Sequence, residues 1–105
     1  MEIVFARICN GKVTKQVGTD MRFITDHLNN DVGYAAREPW HDGFLLILGT
    51  NAPGEKGRFC HPAKDTYIVI KVVDNHYISL TEDEIREIKR RFNEKTQAHT
   101  TRVAV

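Results

Sequence analysis

The sequence has little of what marks a protein for secretion or for a membrane. Its second residue, Glu2, is acidic and no long apolar stretch follows, so the N-terminus does not resemble a signal peptide. The longest apolar runs, 44–48 and 67–70, are far shorter than the roughly 20 residues of a membrane helix. The two cysteines, without a secretion signal, indicate free thiols in a reducing compartment. Together these absences predict a cytoplasmic protein.

The sequence also lacks an excess of charge of either sign. Lysine and arginine number 15, aspartate and glutamate 14, and the net charge is +1. A general nucleic-acid binder usually carries a clear basic excess, so this balance argues against one. With 105 residues, 41% hydrophobic and 28% charged, the chain has an ordinary globular composition. It is long enough for one core, which predicts a single domain over residues 1–105.

The stretch LLILGTNAPGEKG at 45–57 approaches a phosphate-binding loop without matching its chemistry. Gly49 and Gly54 have the spacing of the motif G-x-x-x-x-G-K-[ST]. Glu55, however, occupies the position of the lysine, where a carboxylate would repel phosphate. Pro62 also disfavours the helix that should follow the loop. We therefore interpret the stretch as a glycine-rich connection between two strands.

The N-terminal third has the pattern of a hairpin followed by a helix. Asn10-Gly11 is a strong signal for a two-residue turn, because both residues tolerate positive φ. Such a turn pairs Cys9 with Lys12, Ile8 with Val13, and Val4 with Val17. Thr19 or Asp20 can then cap a short helix that runs to about Asn29.

Later elements are predicted from short apolar runs and turn residues. Residues 31–43 show no clean period, so no element is predicted there, although Tyr34 and Trp40 should pack onto the core. The tail at 97–105 has the composition of a strand and predicts an additional edge strand, within the chain or across to another chain. The remaining predicted strands are Phe44–Leu48, Tyr67–Val73 and His76–Leu80, the last two joined by a turn at Asp74-Asn75.

The final helix has the clearest start. Thr81 and Glu84 form a capping box, and Leu80 and Ile85 stand where a hydrophobic staple places them. The predicted element order is β-β-α-β-β-β-α, with the tail as a last β. Sparse helices among antiparallel hairpins indicate an α+β fold: a mainly antiparallel sheet of two hairpins plus a central strand, with both helices on one face.

The segment 49–65 is the strongest functional candidate. Loops longer than about 12–15 residues without secondary structure are uncommon in compact domains and are usually functional or disordered. Guanidinium groups and glycine-rich backbone both suit phosphate, and an aromatic ring can stack a base. We therefore predict a non-catalytic protein that binds a small anionic ligand, a nucleotide or other phosphate, through residues 49–64, without a cofactor. The predicted ligand-binding residues are Lys56, Gly57, Arg58, Phe59, His61 and Lys64.

Three alternatives involve chemistry at histidine or cysteine. His41, His61 and Lys64 could serve a small metal-free hydrolase or ribonuclease as base, acid and oxyanion stabiliser. His41 and His61 flank opposite ends of the strand 44–48, however, which argues against a shared site. Cys60 and His61 could bind zinc, with Cys9 and His41 completing four ligands, but adjacent ligands lack the usual spacing of structural zinc sites. Cys60 as a nucleophile has no positioned base in the sequence.

The other alternative is a protein–protein inhibitor or a phage-type accessory protein. Its partner would contact edge strands or the final helix. That helix carries Arg86, Lys89, Arg90 and Arg91, but its basic residues follow an acidic first turn and complement the helix dipole. Glu87 and Arg91 also form an i,i+4 pair. A homo-oligomer joined through the tail is compatible with either binding role. No stretch carries the motif of a family.

Overall fold

The structure, a computed structural model, describes residues 2–9, 12–19, 22–29, 31–51 and 66–91. These ranges contain six strands and two helices. The strands are β1 (Glu2–Cys9), β2 (Lys12–Thr19), β3 (Tyr34–Trp40), β4 (Gly43–Gly49), β5 (Thr66–Val73) and β6 (His76–Ile78). Helix α1 is Arg22–Leu28, and α2 comprises residues 82–91. Neither helix, over its described length, is long and apolar enough for a membrane crossing.

The six strands form one antiparallel sheet in the order β2-β1-β5-β4-β3. Strand β6 also pairs with β5, beside the part that β1 leaves free. Strand β5 is central, and all its residues from Tyr67 to Val72 are buried. A β-branched run without polar alternation is typical of a strand covered on both faces. The predicted α+β class, with antiparallel hairpins, a central strand and two helices, is confirmed.

The two helices lie on opposite faces of this sheet. Phe23 and Leu28 of α1 pack with Ile68 and Ile70 of β5, whereas α2 packs on the face that carries Val69. The sequence prediction placed both helices on one face, and the structure corrects it. The reason is β5: because its neighbouring side chains alternate between faces and nearly all are apolar, each face needs its own cover. The core of the α1 face comprises Ile3, Phe5, Phe23, Leu28, Leu48, Ile68 and Ile70, and that of the α2 face Ala6, Ile8, Val13, Trp40, Leu45, Ile47, Tyr67, Val69, Leu80, Ile85 and Ile88.

Several local predictions are confirmed. The register of the first hairpin pairs Cys9 with Lys12 and Ile8 with Val13, as the Asn-Gly turn predicts, although the turn itself lies outside the described residues. Helix α1 ends at Leu28 as predicted, and Asn29 follows it with φ of 50°, the left-handed conformation typical of a helix C-terminus. The capping box of α2 also forms. Its two hydrogen bonds are Thr81 N to Glu84 Oε1 at 3.0 Å and Glu84 N to Thr81 Oγ1 at 3.2 Å.

Strand β3 is the element that the sequence did not predict. Its sequence, YAAREPW, contains no β-branched residue, and Ala, Arg and Glu favour helices. Pro39 would also exclude it from the interior of a sheet. Because β3 is an edge strand with only β4 beside it, it tolerates a proline that lacks the backbone donor. Tyr34 and Trp40 pack onto the core as predicted. The predicted edge strand at 97–105 lies outside the described residues.

Candidate functional site

The ligand-binding residues predicted from the sequence all fall in 52–65, outside the described residues. Their side chains are therefore not placed, and the anion, zinc and nucleophile hypotheses for this segment stay predictions. The residues concerned are Lys56, Gly57, Arg58, Phe59, Cys60, His61 and Lys64. What the structure does describe is the root of the segment, where it leaves β4 and returns to β5.

The two ends of the segment are held side by side. Strands β4 and β5 are antiparallel neighbours, with Gly49 opposite Tyr67. The Thr50 amide donates to the carbonyl of Thr66 at 3.2 Å, which extends the ladder by one step. The Gly33 amide donates to the carbonyl of Gly49 at 2.9 Å and attaches the start of β3 to the same place. A loop of two to five residues would suffice for such a hairpin, so the topology does not require a connection of this length.

His41 lies far from that root. It occupies the turn between β3 and β4, and the length of β4, about 20 Å, separates it from Thr50. A catalytic group of His41, His61 and Lys64 would have to bridge that distance. The proposed zinc set with both Cys9 and His41 is wrong on similar grounds. Cys9 pairs with Thr66 at the root, whereas ligands of one zinc ion lie within about 4 Å of one another.

Around His41 the structure brings together a group that the sequence analysis did not assemble. This polar cluster consists of Trp40, His41, Asp42, Lys71 and Glu84. The ammonium of Lys71 lies 2.9 Å from Glu84 Oε2 and 3.1 Å from Asp42 Oδ2. The indole Nε1 of Trp40 donates to Glu84 Oε2 at 2.7 Å. The ring nitrogens of His41 lie 3.3 Å from Asp42 Oδ1 and 3.3 Å from Glu84 Oε2.

The cluster joins three elements that are distant in sequence. Lys71 shares the α2 face of β5 with Val69, and Leu45 of β4 lies opposite it. Glu84 is the third residue of α2, where the capping box directs its carboxylate back to Thr81. Trp40 is the last residue of β3, and the β3–β4 turn supplies His41 and Asp42. A lysine inside the buried run TYIVIKVV is the signal that could have revealed this contact, because a buried ammonium requires a carboxylate partner.

The pKa values of Glu84 and Lys71 move apart because each side chain stabilises the charge of the other. Burial alone would raise the pKa of Glu84, but hydrogen bonds from Lys71, Trp40 and the Thr81 amide lower it from 4.5 to about 2. Burial alone would lower the pKa of Lys71, but its hydrogen bonds to Glu84 and Asp42 raise it. Both groups therefore stay charged at neutral pH, as an ion pair and not as groups that exchange protons.

Three members of the polar cluster, His41, Asp42 and Glu84, are also residue types that bind metal ions. One ligand atom each from His41, Asp42 and Glu84 lie within 4.8 Å of one another, a grouping that suits a divalent cation. The ammonium of Lys71, however, already contacts both carboxylates. A metal ion placed between these carboxylates would meet a buried positive charge, so Lys71 takes the role that a cation would have. The residues present do not fit a metal ion while Lys71 is charged.

Helix α2 has a second attachment to the same region. The guanidinium of Arg91 lies 4.8 Å from the centre of the Trp40 ring, and it also contacts Glu38 of β3 at 3.4 Å. The predicted pair between Glu87 and Arg91 forms at 3.1 Å. Trp40 therefore contacts α2 at two places, through Glu84 near the start of the helix and through Arg91 at residue 91.

The polar cluster is best understood as a structural anchor. The Glu84 carboxylate accepts from Thr81, Trp40 and Lys71, and its side chain is only 8% exposed. These three donors, all from the protein itself, hold the Glu84 carboxylate in place. The root of segment 52–65 is thus the better candidate for function. Comparison of the chain with models of protein families, with curated proteins and with solved structures finds no match.

Proposed function

We propose that this protein is a non-catalytic binder of a small anionic ligand, a nucleotide or other phosphate, through residues 49–64. The observation that carries the proposal is the root of the segment. Adjacent antiparallel strands, joined at Thr50 and Thr66, are connected by a segment several times longer than the hairpin needs. Connections of this length are uncommon in compact domains, and a binding or catalytic role is a frequent reason for them.

The composition of the segment indicates the chemistry of the ligand. Lys56, Arg58 and Lys64 supply positive charge, and a guanidinium can hold two phosphate oxygens at once. Gly57 lets backbone amides approach an anion closely, and Phe59 offers a face on which a base can stack. The two ends of the segment leave adjacent, hydrogen-bonded strands of the sheet.

The test is calorimetric titration of the full chain with ATP and with inorganic phosphate. The double variant Lys56→Ala, Arg58→Ala should bind at least about tenfold more weakly, since a hydrogen bond to a charged group contributes about 1.5–3 kcal/mol. The matched control is Arg22→Ala, Lys89→Ala, which removes the same two charges from exposed positions on the helices. Unchanged affinity in the control is expected. Equal loss in both variants, or no binding of either probe by the native protein, would overturn the proposal.

The same titrations separate a binder from an enzyme. In a binder, ATP is recovered intact after long incubation, and His61→Ala changes affinity without creating or abolishing turnover. A hydrolase would release phosphate, and His61→Ala would abolish that release while affinity stays. Native mass spectrometry of freshly purified protein adds an unbiased observation. A retained mass that matches a phosphate-containing molecule, and that Lys56→Ala removes, would support the proposal directly.

A further inference from the structure

The first hairpin has a polar, basic surface on the α1 face of the sheet. Helix α1 packs on the far end of this hairpin from its turn: the Phe23 ring lies 4.8 Å from that of Phe5, and a Cβ at Gly18 would lie 2.6 Å from it. Nearer the turn, the residues that share this face are polar, because side chains alternate along each strand. These residues, which we call the basic margin, are Arg7 of β1 and Lys12, Thr14 and Gln16 of β2.

Two members of the basic margin are cations without a carboxylate partner. Lys12 is exposed and Arg7 is half-buried, and neither side chain forms an ion pair or a hydrogen bond in the ranges that the structure describes. The Nε atom of Arg7 is fully buried without an acceptor, which is unfavourable for a charged group. A negative charge outside the chain, beside the terminal nitrogens of Arg7, would offset part of this cost.

The neutral members of the margin are already engaged with the strands. The Thr14 hydroxyl donates to the carbonyl of Arg7 at 3.5 Å and accepts from Gln16 Nε2 at 3.2 Å. The strongest donors left for a partner are therefore the guanidinium of Arg7 and the ammonium of Lys12. Charge determines what the margin attracts.

The positive field of Arg7 reaches the neighbouring helix. The ring of His27 in α1 lies 5.0 Å from that of Phe5. Burial lowers the pKa of His27, the charge of Arg7 lowers it further, and the charge of Asp26 raises it by less. Asp26 thus weakens the field of Arg7 at the margin without cancelling it.

The distance between the two cations suits two carboxylates of one extended chain. Arg7 is two residues from Cys9, and Lys12 lies opposite Cys9. Steps of about 3.3 Å per residue along a strand and about 4.8 Å between strands separate the Cα atoms of Arg7 and Lys12 by about 8 Å. Side chains at i and i+2 of an extended chain lie on the same side, about 7 Å apart. No aromatic ring belongs to the margin, so it offers a nucleic acid no surface on which bases stack.

We propose that the basic margin binds an acidic segment of another protein, in extended conformation, with carboxylates at alternate residues. One carboxylate accepts from the guanidinium of Arg7, and the carboxylate two residues away accepts from the ammonium of Lys12. The segment lies across the face of the hairpin and adds no strand at the edge of β2. Because two charges at the surface dominate the contact, binding is weak and sensitive to salt. The interaction is independent of the ligand proposed for residues 49–64.

The test is an NMR titration of the full chain with a peptide of ten glutamates, in low salt and in about 0.5 M NaCl. Amide signals of β1 and β2 should shift in low salt only, and the pKa of His27 should rise because carboxylates then oppose the charge of Arg7. The double variant Arg7→Gln, Lys12→Gln should bind about fivefold more weakly. The matched control is Arg37→Gln, Lys89→Gln, which removes the same two charges from exposed positions on β3 and α2 and should bind as the native protein does.

A charge reversal keeps the test decisive if the loss of Arg7 disturbs packing. Because Lys12 is exposed, Lys12→Glu should keep the dispersed spectrum and abolish the shifts. Persistence of the shifts in folded Lys12→Glu would overturn the inference. So would the absence of any shift at the margin in low salt, or an equal loss of affinity in the control.

Two further outcomes separate this inference from other readings. The variant Lys56→Ala, Arg58→Ala should bind the glutamate peptide as the native protein does, even when it loses affinity for ATP. Loss of the peptide in that variant would place its site in the segment 52–65 and overturn the inference. A single-stranded oligonucleotide of ten nucleotides should bind the margin more weakly than the peptide, and tighter binding of the oligonucleotide would also overturn it.

Discussion

Replacement of Glu84 by glutamine tests the structural role assigned to the polar cluster. The substitution keeps the size of the side chain and an oxygen that can accept from Thr81. It removes the negative charge that pairs with Lys71. It also places an amide NH₂ where Glu84 Oε2 accepted from Trp40 and Lys71, so three donors would then face one another. The fold is expected to survive, because the apolar cores on both faces of the sheet are untouched.

The magnitude follows from the pKa of Glu84. A drop from 4.5 to about 2 corresponds to about 3 kcal/mol of stability at neutral pH, at about 1.4 kcal/mol per unit. This value agrees with the cost of about 3–5 kcal/mol that is typical when one partner of a buried ion pair is removed. Because the pKa is lowered on folding, this stability is present above pH 4.5 and is lost as the pH falls from 4.5 toward 2. The variant should lack that part of the acid sensitivity.

The assay is urea unfolding of both proteins at pH 7 and at several points down to pH 3. For slopes of about 1–3 kcal/mol/M, the midpoint of Glu84→Gln should fall by about 1–3 M at pH 7, and the difference should shrink as the pH drops. Glu87→Gln on the same helix is the control, because its half-buried i,i+4 pair with Arg91 should contribute only about 0.3–0.5 kcal/mol. A loss below that value for Glu84→Gln, or a difference that does not vary with pH, would refute the role of the cluster.

A double variant tests whether the two residues act together. The loss of stability in Lys71→Met, Glu84→Gln should be smaller than the sum of the losses in the two single variants.

Two further substitutions test backbone features. Gly43→Ala should destabilise the protein by more than 2 kcal/mol, because an added Cβ would lie 2.1 Å from the carbonyl oxygen of Val72, and thermal unfolding measures the loss. An unchanged melting temperature would show that β4 can move away from β5. Asn75→Ala should cost about 1 kcal/mol, since Asn75 has φ of 65°, whereas Asn75→Gly should be neutral or stabilising. Equal stability of these two variants would contradict the reasoning.

Local chemistry explains which parts of the fold could be predicted from the sequence. The Asn10-Gly11 dipeptide fixed the register of the first hairpin, because a two-residue turn leaves only one pairing of the flanking strands. The capping box located the start of α2, because both of its partners lie within one turn of helix. In both instances every residue that determines the structure lies within a short stretch of chain.

The rest depends on contacts between distant residues. Strand β3 forms because β4 offers it an edge, and its own residues do not favour a strand. Each helix packs on the face of β5 that no other element covers, and the sequence of the helix does not say which face that is. The contact between Lys71 and Glu84 requires β5 and α2 to pack together first; Lys71 within its apolar run indicates that a carboxylate is needed, but not which one. The ligand residues of 52–65 were selected on composition and length, and only the root of that segment is placed.

The two edges of the sheet bear on the alternative of a macromolecular partner. Strand β2 exposes Lys12 and Lys15, and β3 carries Arg37 and Pro39 at exposed positions. Lysine and proline on edge strands discourage another strand from pairing there. A partner that adds a strand is therefore disfavoured at both described edges. The inhibitor hypothesis would need a different surface, such as the exposed side of α2.

The central position of β5 also has a consequence for the route by which the chain folds. The hairpins β1–β2, β3–β4 and β5–β6 each join neighbours in sequence, and such hairpins form within about 1–10 μs. The pairings of β5 with β4 and β1 span the long segment and most of the chain, respectively. They require closure of large loops before any contact forms. We expect the joining of these three hairpins through β5 to limit the folding rate, so the strand that is buried most completely is also the last to gain two of its neighbours, β4 and β1.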